Sequence, residues 1–138
     1  MISFLIGTIE EKLENSVVIN CNGIGYEVLT STATLSTLPL AGEDCKIYTY
    51  MQVREDGISL FGFTTIDERE LFYKLISVSG VGPKMAVTIL SGMNISDLIV
   101  SILKEDTIAL SRIKGLGKKT AERICLELKD KLTPVGDV

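Results

Sequence analysis

Hydrophobic and polar positions along the chain follow two different rhythms. In Cys45–Val53 they alternate: Ile47, Thr49, Met51 and Val53 fall on one side, and Lys46, Tyr48, Tyr50 and Gln52 on the other. That period of two is expected of a strand with one buried face. Short β-rich segments precede it at Ile2–Ile9, Ser16–Cys21 and Gly25–Thr30, separated by turn residues such as Asn15 and Asn22-Gly23, and Ile58–Phe63 follows. A short helical or irregular piece is expected around Thr34–Leu38. From Thr64 the period lengthens to about 3.6. Thr65-Ile66-Asp67-Glu68 has the spacing of a capping box, and Leu71, Phe72, Leu75 and Ile76 then form an apolar stripe. Further helices are expected at 83–91, 95–103, 106–113 and 118–131. The last of these buries Ala121, Ile124, Cys125, Leu128 and Leu132.

The change of rhythm predicts an α+β chain of two modules. Residues 1–63 suit a five-stranded, OB-fold-like β-barrel, and residues 64–132 an all-α domain. The final Thr-Pro-Val-Gly-Asp-Val, residues 133–138, reads as the start of a linker.

Within the helical half one pattern occurs twice. Val78-Ser79-Gly80-Val81-Gly82-Pro83-Lys84 and Ile113-Lys114-Gly115-Leu116-Gly117-Lys118-Lys119 each join an apolar helix end to a cationic helix start through Gly-apolar-Gly. The second glycines lie 35 residues apart, so the all-α domain is a tandem of helix-hairpin-helix motifs. Phosphate requires a closely approached backbone, free N–H donors and a positive field. Glycine allows the approach, and the first turn of a helix supplies the donors and the dipole. Lys84, Lys118 and Lys119 add whole charges, while Val81 and Leu116 plug each hairpin into its core. Arg123 stands four residues after Lys119, so both can share an exposed face suited to adjacent phosphates. Support of Glu122 and Glu127 is the competing use. A single Gly-x-Gly is weak evidence, because glycine also caps ordinary helices. Duplication makes DNA backbone the leading ligand. An NTPase phosphate loop ending at Gly117-Lys118 is excluded, since Arg112 and Lys119 stand where it needs glycine and Ser or Thr.

Charge at first argues against nucleic acid, for the 138 residues carry a formal net charge of -4. The average conceals an asymmetry. Residues 1–63 hold three Lys/Arg against eight Asp/Glu, whereas residues 112–131 hold seven against three. The cationic surface therefore coincides with the second hairpin.

Cys21, Cys45 and Cys125 are widely spaced and there is no histidine. Neither a disulfide framework nor a metal site is suggested, which fits a reducing cytoplasm, and no cofactor is implied. Without histidine, Ser-His or Cys-His nucleophiles are excluded, and no catalytic residue is assigned. No signal peptide is read at the N-terminus. Met85–Leu103 has a single charge, Asp97, but Gly92-Met93-Asn94 breaks it, so two buried helices capped at Asn94 or Ser96 are expected in place of a membrane span.

Arg54-Glu55-Asp56-Gly57 joins the last two predicted strands. Asp-Gly there signals a tight hairpin with positive φ, which puts Glu55 and Asp56 at or beside an exposed tip. Locally, an ordinary polar turn and a metal-binding carboxylate pair both remain open.

An acidic barrel with an Arg-Glu-Asp-Gly tip, followed by Gly-Val-Gly-Pro-Lys and Gly-Leu-Gly-Lys-Lys-Thr-Ala-Glu-Arg, resembles the RuvA family over essentially the whole chain. The resemblance implies a non-enzymatic, structure-selective binder of four-way (Holliday) DNA junctions in recombination and repair. It also implies a homotetramer, with one or two tetramers on the DNA. In that setting Ser79, Gly80, Val81, Gly82 and Lys84 belong to the first minor-groove hairpin. Gly115, Leu116, Gly117, Lys118, Lys119 and Arg123 belong to the second, and Glu55 and Asp56 match the acidic pins at the tetramer centre. Full-length members act with RuvB and RuvC. They continue past this end into a domain that engages RuvB, so RuvB contact is not expected of these 138 residues. The rival classes are a glycosylase or nuclease, for which no catalytic pocket or metal site is found, and a protein-interaction module whose hairpins are structural turns.

Overall fold

A computed structural model describes residues 1–132; the linker expected at 133–138 lies outside the described residues. The first half contains β1 (Phe4–Lys12), β2 (Ser16–Cys21), β3 (Ile24–Thr30), α1 (Thr32–Thr37), β4 (Asp44–Arg54) and β5 (Gly57–Phe63). The strands close into a barrel in the order β1-β2-β3-β5-β4. All pairings are antiparallel except β3 with β5. This is the five-stranded barrel that the alternation predicts.

Closure depends on β1 serving two neighbours. Its first part, Phe4 to Thr8, pairs with β4, and its second part, Thr8 to Lys12, pairs with β2. A register shift between Ile9 and Glu11 accompanies the change of partner, as expected of a bulge that bends a strand. The strand therefore runs past Ile9, through the charged Glu10-Glu11-Lys12 at which the hydrophobic signal stops. Lys12 extends its ammonium to the carbonyls of Leu35 and Leu38, at 3.3 and 3.0 Å, and so occupies the C-terminal end of α1. Leu35 and Leu38 enter a core made by Leu5, Ile9, Val17, Ile19, Val28, Ile47 and Leu60. Gly62 belongs to this core, because a Cβ there would collide with Val28 and Ile47.

The second half contains α2 (Ile66–Ile76), α3 (Pro83–Gly92), α4 (Ile95–Leu103), α5 (Thr107–Ser111) and α6 (Lys118–Leu128). Two compact units divide between Arg69 and Glu70, within α2. The first turn of α2 goes with the barrel for a reason visible in its bonds. Thr65 Oγ1 accepts from the Glu68 N–H at 3.1 Å, as in a capping box. The Glu68 carboxylate instead accepts from Thr34 Oγ1 at 2.6 Å and from the Thr64 backbone. Arg69 Nη1 donates to the Ser3 carbonyl at 2.9 Å. The helical period begins at Thr64, but the packing boundary follows these side chains.

In the helical unit α3 and α4 meet at 103° across the Gly92–Asn94 break. Asn94 caps α4 by accepting from the Asp97 N–H at 2.8 Å. No single helix among the described residues is long and apolar enough to cross a membrane. The helices at 106–113 and 118–131 are shorter than their patterns suggest. Their ends tighten into bonds reaching three residues back, Ile113 N–H to Leu110 and Lys131 N–H to Leu128. Ala86, Ile89, Leu98, Ile102, Leu110, Ala121, Ile124 and Leu128 are the buried centre of this unit. Of the cysteines, Cys125 is buried, Cys21 and Cys45 are half-buried, and all three are free thiols.

Candidate nucleic-acid interface

Both Gly-x-Gly segments form the same hairpin, built in the same way. The N–H of Val81 bonds the carbonyl of Val78 at 3.0 Å, and that of Leu116 bonds Ile113 at 3.0 Å. This tight turn requires the residue before the apolar plug to take positive φ. Gly80 does so at +90° and Gly115 at +87°, a region that costs residues with a Cβ. Val78, Val81, Ile113 and Leu116 are buried, whereas Ser79, Gly80, Gly82, Lys114, Gly115 and Gly117 are exposed. The apolar residues, three apart in each copy, hold the hairpin from the inside and leave its glycines outside.

Gly82 and Gly117 have a different reason to be glycine. Gly82 is the N-cap of α3 at φ -93°, and Gly117 the N-cap of α6 at φ -78°. Both angles suit any residue. A Cβ at either position would meet nothing within 4 Å. Neither helix has a side-chain cap bond, although a Ser or Asp at those positions would supply one. The chain leaves two helix starts without a side-chain cap, with Gly82, Lys84, Gly117, Lys118 and Lys119 exposed at them, and a helix start carries unpaired N–H groups and the positive dipole end. That arrangement suits a phosphate approaching the backbone.

The copies differ in charge and in backbone donors. Pro83 opens α3 and contributes no N–H, whereas α6 opens with Lys118, which contributes one. Lys84 is the exposed cation of the first copy, and Lys118 and Lys119 are those of the second. Lys114, exposed in the second loop at the position held by Ser79 in the first, adds a further charge. Local motif reading passed over it because the duplicated pattern has no lysine there.

Arg123 is exposed, but its guanidinium is engaged within the protein. Its Nη1 lies 3.5 Å from the Ser79 carbonyl, and its Nε 3.9 Å from Glu127 Oε2. Arg123 thus has Glu127 within reach as an exposed ion-pair partner, and the second hairpin's helix reaches the first hairpin's loop. Gly92 strengthens that association, since a Cβ there would be 2.8 Å from Ile113 Cγ2. The end of α3 and Ile113 approach each other closely at this point.

The carboxylate tip belongs to the barrel unit. Arg54 pairs with Gly57, which leaves Glu55 and Asp56 as a two-residue loop, both exposed. The turn differs from the one that Asp-Gly predicts. Neither Glu55 nor Asp56 has positive φ, and only Gly57, at +151°, does. The Asx-Gly turn with two positive φ values occurs instead at Asn22 and Gly23, +52° and +92°. Asp56-Gly57 cannot sit centrally, because Gly57 is already paired to Arg54. Among the described residues neither tip carboxylate forms an ion pair, and no three His, Cys, Asp or Glu gather as a metal-holding cluster.

Comparison with known proteins adds independent findings. The model of the RuvA N-terminal domain matches residues 1–62, and that of the SAM-like helix-hairpin-helix tandem matches residues 72–130. Curated relatives carry the name Holliday junction branch migration complex subunit RuvA. One from Thermoanaerobacter sp. (strain X514) is 52% identical over 132 residues, covering 96% of this chain and 71% of its own length. Another from Solibacter usitatus is 48% identical, covering 96% and 67%. A third from Chromobacterium violaceum is 45% identical, covering 100% and 70%.

Proposed function

The chain belongs to the RuvA family, and on that premise we propose that it binds four-way DNA junctions through their backbone and holds them open for branch migration. The observation that carries the reading is the pair of bare helix starts at Gly82 and Gly117, each aimed outward by a buried plug. Contacts of this kind grip sugar-phosphate and cannot read base edges, so recognition follows DNA shape and not sequence.

Ser79, Gly80, Gly82 and Lys84 line one backbone contact, and Gly115, Gly117, Lys118 and Lys119 the other, with Val81 and Leu116 setting their direction. Arg123 ties the two together. The molecule works as a non-catalytic homotetramer, one duplex arm per subunit, with Glu55 and Asp56 gathered around the point of strand exchange. Their unpaired charge repels phosphate, which weakens binding to continuous duplex and favours separated strands. RuvB and RuvC are the protein partners that membership of the family implies. Solution mass with and without a synthetic four-way junction tests the assembly. Four protomers, or eight on DNA, support it, and a protomer that stays single in both states contradicts it.

A further inference from the structure

The β4–β5 hairpin carries more than its carboxylates. β4 pairs with β1 only over Asp44–Tyr48, and β5 pairs with β3 only over Leu60–Gly62. The pairs Gln52–Ser59, Val53–Ile58 and Arg54–Gly57 therefore form a two-stranded ribbon with no third strand beside it among the described residues. Directly opposed residues share a face. Val53 and Ile58 fall on the face that lower down bears Met51 and Leu60, and Leu60 is part of the barrel core. The apolar stripe continues past the end of the core. Leu60 is 7% exposed, Met51 is half-buried, and Val53 and Ile58 are 65% and 67% exposed. The opposite face is polar: with its amide oxygen turned towards Arg54, Gln52 accepts from Nη2 and Nε at 3.2 and 3.3 Å.

A ribbon with an apolar face and an anionic end selects its contact by chemistry. Glu55 and Asp56 reject phosphate, so the nucleic-acid surface that reaches Val53 and Ile58 must be one without phosphates. The faces of base pairs qualify, and they become available where stacked duplex is interrupted. Apolar side chains placed against such steps hold them unstacked. Val and Ile are also stiff at χ1, so little rotamer freedom remains to be lost on contact. We propose that Val53 and Ile58 form an apolar wedge that lies against the base pairs flanking the strand-exchange point, while Glu55 and Asp56 keep phosphates from its end. The proposal rests on the junction-binding reading above.

A junction labelled with 2-aminopurine beside the crossover tests it, with the same label placed mid-arm as control. Bound wild-type protein should raise the crossover fluorescence and leave the mid-arm signal unchanged. Val53→Thr with Ile58→Thr keeps β-branching and strand preference; circular dichroism should match wild type, and the variant should still bind while losing the crossover signal. Glu55→Gln with Asp56→Asn should retain that signal. A full crossover signal from the threonine variant overturns the wedge. A changed solution mass of that variant without DNA assigns the pair to contact between copies and also overturns it. Wild-type protein that binds no junction overturns the underlying reading itself.

Discussion

Four glycines in the two hairpins carry two distinct physical duties, and substitution should separate them. Gly80 and Gly115 hold positive φ, so alanine at either should cost about 1 kcal/mol of stability through backbone strain. Gly82 and Gly117 have ordinary angles and open space. Aspartate there can cap its helix, so Gly82→Asp or Gly117→Asp should unfold at or above the wild-type temperature and yet bind DNA at least about tenfold more weakly, an effect of about 1.4 kcal/mol. Thermal unfolding and fluorescence anisotropy check both halves, and unchanged DNA affinity in a folded variant would remove that hairpin from the interface. The motif itself did not distinguish these duties, because letters do not encode φ. Glu68 shows the same limit. Its capping-box position was legible, but its bond to Thr34 joins residues 34 apart in the chain. Burial raises its pKa above the ordinary 4.5, against the smaller lowering by its bonds to Thr34 and the Thr64 backbone. The folded state therefore holds this proton more tightly than the unfolded state. Its favourable contribution is fully present below the ordinary value and is lost as pH rises through the raised one. Glu68→Gln should be as stable as wild type or more so at neutral pH, and melting curves from about pH 4 to 7 should lose that falling component. A variant clearly less stable at neutral pH would show that the carboxylate's bonds outweigh its desolvation.

Elements were legible where a periodic face meets a recognisable end. Alternation located β4, and Asn94, Gly82 and Gly117 marked helix starts. Strand ends were harder to read. Glu10 to Lys12 belong to β1 because backbone pairing to β2 and the Lys12 contact with α1 hold them, and neither leaves a hydrophobic trace. Val53 shows the converse: its alternation was correct, but the barrel ends before it. At the tip, Glu55→Gln with Asp56→Asn removes repulsion without altering the ribbon, so affinity for linear duplex should rise several-fold in a gel shift. No rise would reduce the tip to a plain turn. The hairpins themselves are unequal. Lys118→Ala with Lys119→Ala should flatten the dependence of log affinity on log salt about twice as much as Lys84→Ala, since each released phosphate contact is worth about 0.9 of slope. Equal flattening would contradict the assignment of the stronger contact to α6.

For the whole molecule, an acidic barrel precedes a locally basic pair of hairpins, and net charge alone misleads about the partner. The order of parts was readable because each part has its own period and turn chemistry. The contacts that organise the interface were not, since Arg123 with Ser79 and Gly92 with Ile113 bring together distant positions. Such pairings arise from packing and leave no local spacing to detect. Two outward helix starts per protomer are proposed to grip DNA backbone in the geometry of a crossover. The most direct test of that grip is anisotropy competition between a four-way junction and linear duplex of equal nucleotide content, at one fixed salt concentration. The junction should compete at least about tenfold better, a difference of about 1.4 kcal/mol. Equal competition by the two DNAs would contradict it.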